Sequence, residues 1–235
     1  LDEYDTPMQE AYVSGFWGEM VEFIRALFNA TFKTNPYLDR AVMTGITRVS
    51  KESIFSDLNN LEVVTATSHK YADVFGFTEE EVFAALNECG MGDRKAEVKE
   101  WYDGFVFGER RDIYNPWSII NYLDSGGIAR PYWVNTSSNS LAGKLVQEGS
   151  PELKMTMEGL LQGGTFRAFL DEQIVLSELE KREGAVWSLL LASGYIKAIS
   201  AALKMEYMEM EYELKLTNME VRYMFLQIIR KRYGA

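Results

Sequence analysis

The stretch Leu1-Asp2-Glu3-Tyr4-Asp5 sets two adjacent carboxylates where what reads as the last residue of a buried strand gives way to a loop. From such a place one acid can support a divalent cation, and its neighbour can accept a hydrogen bond from an attacking water and polarise it. A second set of polar groups follows. The apolar run Ala41 to Thr44 reads as a short buried parallel strand ending in Thr44-Gly45, with Arg48 one helical turn further on. Ligands of parallel sheets sit at the carboxyl ends of the strands, so Asp2, Glu3, Thr44 and Arg48 can all face one crevice. Each has a plainer reading: a solvated charge pair for Asp2 and Glu3, an ion pair with Glu52 for Arg48, and a helix cap for Asp5.

The acidic pair resembles the Walker B box of P-loop NTPases. That resemblance implies Mg²⁺ support by Asp2, through coordinated water, and orientation of the lytic water by Glu3. Thr44 resembles a sensor group that would hydrogen-bond the γ-phosphate or the same water, and Arg48 would stabilise negative charge developing on the phosphoryl group. The partner motif is missing. No G-x-x-x-x-G-K-[ST] occurs in the 235 residues, and the nearest fragment, Gly143-Lys144-Leu145, lacks the first glycine and the hydroxyl.

The segment from Ala41 through Ile46, Thr47, Arg48 and Val49 to Leu61 resembles the signature of the bacterial AAA-ATPase-like family. The likeness continues through Tyr102-Asp103-Gly104-Phe105, Tyr114-Asn115-Pro116-Trp117-Ser118-Ile119 and Tyr132-Trp133-Val134-Asn135-Thr136-Ser137-Ser138-Asn139, in the family's order. Members typically carry a P-loop upstream of the point matching Leu1, and many end in a PD-(D/E)XK nuclease-like domain. The segment Leu216 to Arg222 is similar to the junction between those parts. The resemblance therefore implies a fragment running from Walker B to the end of a lid, whose intact parent binds and hydrolyses ATP with Mg²⁺. Without Walker A, the fragment alone is expected to be inactive and to hold no cofactor.

Composition narrows the alternatives. With 47% hydrophobic and 13% aromatic residues the chain can bury a substantial core. The net charge of −11 works against a nucleic-acid surface, since phosphate binding needs Lys and Arg to displace counterions. The basic cluster Arg230-Lys231-Arg232 closes the last helix, where cations complement the helix dipole. Cys89, the single cysteine, excludes an internal disulfide and reads as a small buried hydrophobe; His69, the single histidine, excludes a His-based zinc site. The longest uncharged apolar-rich stretch, Ala185 to Ile196, falls well short of the roughly 20 residues a membrane span needs. A soluble cytoplasmic module is expected.

The fold expected is α/β plus mainly helical. Residues 1–68 would be the C-terminal part of a P-loop core with a partial parallel sheet, and residues 69–235 a helical lid with a winged-helix-like hairpin near 195–216. The apolar spacing of Tyr12, Phe16, Met20, Phe23, Ile24, Leu27 and Phe28 predicts one amphipathic helix from Gln9 to Phe32. Thr78-x-x-Glu81 is a capping box, Asn115-Pro116 opens another helix that ends at Gly126-Gly127, and Glu178 to Ser193 is helical. Tyr114, Pro116 and Trp117 read as cap and core rather than as a ligand cage. Alternating residues from Tyr207 to Leu216 predict an antiparallel strand pairing with Tyr195 to Ala201, and Thr217-x-x-Glu220 reads as a second capping box. Three function classes are open: an ATPase core fragment, a non-catalytic module binding a protein partner or oligomerising, and a winged-helix nucleic-acid binder, which the charge opposes.

Overall fold

The computed structural model describes residues 1–46, 55, 58, 61–133, 139–170 and 183–233. In chain order its elements are α1 (Thr6–Ser14), α2 (Trp17–Phe32), β1 (Phe77–Thr78), α3 (Glu79–Glu88), α4 (Lys95–Tyr102), β2 (Asp103–Phe107), β3 (Arg110–Tyr114), α5 (Pro116–Asp124), α6 (Asn139–Glu148), α7 (Pro151–Leu161), β4 (Phe166–Phe169), α8 (Glu183–Ala192), β5 (Ile196–Lys204), β6 (Glu209–Leu216) and α9 (Met219–Tyr233). The chain groups into two units, Leu1–Val63 with Leu170–Ser193, and Val64–Phe169 with Gly194–Ala235. Both sheets among the described residues lie in the second unit and are antiparallel, so the architecture is mixed α/β. Among the described residues the first unit holds no strand of the partial parallel sheet expected there.

In the first unit the expected single helix is two. Gly15 adopts a left-handed φ of 82° and Phe16 N–H returns to Ala11 O at 3.0 Å, which ends α1 and lets α2 start in a new direction. Periodicity survives such a break, so the apolar spacing alone could not reveal it. Met8, Ile24 and Phe28 form the buried centre, with Tyr4, Met43 and Phe55 packed against it. The Tyr4 and Phe28 rings meet edge to face at 6.0 Å and Phe55 stacks on Phe28 at 5.8 Å. Ala41 to Thr44 is neither strand nor helix, and Val42 is 72% exposed. Yet Leu1 N donates to Val42 O at 2.8 Å and Thr44 N–H to Leu1 O at 3.0 Å. That reciprocal pair around Met43 is the spacing of a parallel ladder, one rung long. In this unit α8 is apolar all round and buried from Ala185 to Leu190.

The second unit follows its caps closely. Thr78 accepts from Glu81 N–H while the Glu81 carboxylate accepts from Thr78 N–H at 2.8 Å, the expected capping box. Asn115 caps α5 by accepting from Trp117 N–H at 2.9 Å, with Pro116 at the first helical position. Trp117, however, is exposed rather than part of the core; its indole N–H reaches Tyr132 O at 3.3 Å. Val82, Leu86, Val98, Tyr102, Tyr114, Ile119 and Tyr122 make the core of this region. The Tyr102 hydroxyl satisfies itself within it, donating to Arg130 O at 2.8 Å and accepting from Arg130 N–H at 3.0 Å.

The alternating segment forms β6, paired antiparallel with β5 from Ile196↔Leu216 to Lys204↔Glu209. Two features escaped the sequence: β4 completes this sheet in the order β4-β6-β5, and a second sheet, β1-β3-β2, brings Asp103 opposite Tyr114. The region after residue 68 is therefore not helical with a single hairpin. Nor is Thr217-x-x-Glu220 a capping box. Asn218 caps α9 by accepting from Val221 N–H at 3.0 Å, and the Thr217 hydroxyl donates to Gly194 O at 2.6 Å. Glu220 turns inward instead, accepting from Ser118 Oγ at 2.7 Å and Trp133 N–H at 2.8 Å. Cys89 ends α3 and is exposed, contrary to the buried reading. Residues 178–182 of the expected Glu178 to Ser193 helix lie outside the described residues, whereas α8 covers the rest except Ser193.

Candidate functional site

The acidic segment and the end of the Ala41–Thr44 run lie side by side because the backbone bonds of Leu1 hold them together. Tyr4 N–H adds a third tie, to Thr44 O at 2.9 Å. The Thr44 hydroxyl donates to Asp2 Oδ1 and accepts from Glu3 N–H at 3.1 Å, and the same N–H also reaches Asp2 Oδ1 at 3.1 Å. Asp2, Glu3 and Thr44 thus form one small polar knot. Glu3 sits at a left-handed φ of 47°, an uncommon conformation for a residue with a side chain. Its carboxylate accepts from Thr6 Oγ1 at 3.3 Å. Both Asp2 and Glu3 are exposed.

Asp5 was expected to cap α1, and by position it does. Its carbonyl accepts from Met8 N–H at 3.0 Å and Gln9 N–H at 2.9 Å, but its carboxylate does not cap. Buried to 1% exposure, that carboxylate accepts from Ile46 N–H at 3.1 Å and Gln9 Nε2 at 3.0 Å, tying α1 to the loop beyond Thr44. Asp5 is therefore the group that fixes the knot in place. Arg48 lies outside the described residues.

The knot suits an outer-sphere cation better than a caged one. Among the described residues no three His, Cys, Asp or Glu side chains converge as metal ligands. Asp2 keeps Oδ2 without a hydrogen bond among the described residues, in an exposed place where a metal-bound water could meet it.

The second unit gathers another charged group, around the Tyr102-Asp103-Gly104-Phe105 motif. Lys99 pairs with Glu79 and lies 3.5 Å from Asp112 and 4.0 Å from Asp103. Tyr114 hydroxyl donates to Glu79 Oε2 at 3.2 Å. Burial, and next the Asp112 charge, push the Asp103 carboxyl up to about 6, against the opposing pull of Lys99 and Lys197. Burial likewise raises Glu220, with the Trp133 and Ser118 bonds opposing it. Sequence reading gave Asp103 no role of its own and took Glu220 for part of a capping box. Only the pairing of β2 with β3 across a bulge at Gly104 brings Asp103 beside Asp112, and no local pattern announces that register.

Comparison with known proteins covers the segment that holds the acidic pair. The family described as "AAA-ATPase_like: Predicted AAA-ATPase" matches residues 1–55. The "Uncharacterized protein in vnfD 5′region" of Azotobacter chroococcum mcd 1 is 25% identical over 238 aligned positions, covering 99% of this chain. This chain spans 42% of that relative's length. No solved structure matches it.

Proposed function

We propose that these residues are the Walker B-to-lid portion of an AAA-like ATPase, whose phosphate-binding loop belongs to a longer polypeptide. The observation that carries this reading is the Asp2–Glu3–Thr44 knot, built inside the segment that the family matches. The surface of the first unit supports it as well. A one-rung parallel pairing leaves Val42 72% exposed, and α2 leaves Phe23 62% and Leu27 43% exposed. Parallel strands are normally covered on both faces, so this surface is suited to more sheet and helix than the described residues supply.

In that setting each group has a task. Asp2 would hold a hydrated Mg²⁺ through its free oxygen, and the Thr44 hydroxyl would keep the other oxygen turned away from it. Glu3, fixed by its backbone N–H on Thr44, would accept a hydrogen bond from the attacking water and draw off its proton as the water oxygen bonds to the γ-phosphorus and the bond to the bridging oxygen breaks, releasing ADP and phosphate. The hairpin β5–β6 leading into α9 supports a lid of winged-helix type in the second unit. Exposed Phe23 and Leu27 equally favour a second reading, in which α2 docks a protein partner without catalysis.

The test is magnesium dependence in the full-length polypeptide. Asp2→Asn should raise the Mg²⁺ concentration for half-maximal ATP hydrolysis about tenfold or more, the scale of losing one charge next to the metal's water shell. An unchanged Mg²⁺ requirement, or full-length protein with no ATP turnover at all, would favour the docking reading.

A further inference from the structure

The second unit contains a cavity of about 250 Å³ that the ATPase reading does not use, walled by the β5–β6 pair, the ends of α4 and α7, and the start of α9. Three cations line it: Lys197 on β5, Lys215 on β6 and Arg222 on α9. Lys197 and Lys215 are direct cross-strand partners, so their side chains share one face of the sheet. Like charges placed opposite one another in an antiparallel pair repel. No ion pair relieves either lysine among the described residues, and the cavity's one carboxylate, Glu100, is exposed on its rim.

The other groups point the same way. Arg222 Nε is buried without a hydrogen-bond partner among the described residues, although a buried guanidinium N–H ordinarily finds an acceptor. Asn218 and Met219, in the cavity wall, are the cap and first residue of α9, whose N-terminus carries partial positive charge. Burial lowers the Lys197 pKa; Asp103 and Asp112 act against that, and Lys215 and Arg111 lower it further. Those two acids are already engaged by Lys99. What is missing from this arrangement is an anion.

We propose that Lys197, Lys215 and Arg222, with the start of α9, form a binding site for a phosphate-class oxyanion, separate from the acidic segment of the first unit. A tetrahedral oxyanion fits the volume, neutralises the facing lysines and offers the acceptor that Arg222 lacks. Two sources share this chemistry: free inorganic phosphate, and the phosphates of a nucleotide.

Calorimetry on the 235-residue chain, in EDTA and at constant ionic strength, tests the site with inorganic phosphate as probe. EDTA removes any Mg²⁺-dependent binding at Asp2 and Glu3, so the result stands apart from the ATPase reading. Saturable one-to-one binding with a dissociation constant on the order of a millimolar is expected. Lys215→Gln, a change at an exposed side chain, should weaken it about tenfold, and Arg222→Gln by at least as much, with Arg222→Lys recovering part of the loss. Circular dichroism and an unchanged melting midpoint certify that each variant is folded. If ATP without Mg²⁺ displaces phosphate and is weakened by the same substitutions, the nucleotide's phosphates are the source; if ATP does not compete, free phosphate is. No saturable binding up to about 20 mM phosphate, or equal binding by wild type and folded Lys215→Gln, overturns the proposal.

Discussion

Asp103 and Glu220 are two carboxyls whose ionisation the fold opposes, and both act on stability with the same sign. The folded value of Asp103, about 6, lies above its ordinary 3.8, so it favours the folded state fully at acid pH and loses that contribution as pH rises through about 6. The loss should amount to about 1–2 kcal/mol after allowance for solvent screening. Chemical denaturation between pH 4 and pH 7 should show it, and Asp103→Asn should flatten that part of the profile. A profile identical to wild type would mean that Asp112 and Lys99 absorb the charge. Glu220→Ala should cost about 2–4 kcal/mol, because Ser118 and the Trp133 N–H would lose their buried acceptor, whereas Glu220→Gln should cost roughly 1. At this scale the sequence was only partly legible. Asp2, Glu3 and Thr44 were singled out on a strand-end pattern; they do meet in the fold, although neither segment is a strand. Glu220 was misread as a cap, since the same spacing fits a capping box until Ser118, far away in sequence, is seen to claim its carboxylate.

Among the elements, α3 and α5 announced themselves through their caps and strands did so only where they alternate. Thr78-x-x-Glu81 and Asn115-Pro116 fix their helix starts by local hydrogen bonds, and β6 shows its solvent face as Glu209, Glu211 and Glu213. By contrast β1, β2 and β4 are short, and their pairing depends on partners remote in the chain. Gly104 is where this hidden geometry is tightest. At φ 126° it combines a conformation unsuited to a side chain with close packing, since a Cβ there would lie 2.3 Å from Thr217 O and 2.5 Å from Lys197 Nζ. Gly15 shares the positive φ, but nothing lies within 4 Å of its would-be Cβ. Gly15→Ala should therefore cost about 1 kcal/mol, the backbone term alone, and Gly104→Ala about 3 kcal/mol or more. Equal melting midpoints for the two variants would show that the β2 bulge and the chain around Thr217 can part without penalty.

For the whole molecule, the net charge of −11 and the glutamates of β6 predict weak attraction for nucleic acid. Fluorescence anisotropy with duplex DNA at physiological salt should show no binding at low micromolar protein; a salt-sensitive rise would revive the winged-helix reader. No described helix is long and apolar enough to cross a membrane. The proposed role of the acidic segment, activating water in an ATPase, turns on Glu3. Single-turnover ATP hydrolysis by the full-length polypeptide tests this directly. Glu3→Gln keeps the size of the side chain and should leave nucleotide affinity intact while slowing hydrolysis roughly a hundredfold or more, the scale of losing a positioned general base. Hydrolysis at the wild-type rate would contradict the account and return Asp2 and Glu3 to an ordinary solvated pair.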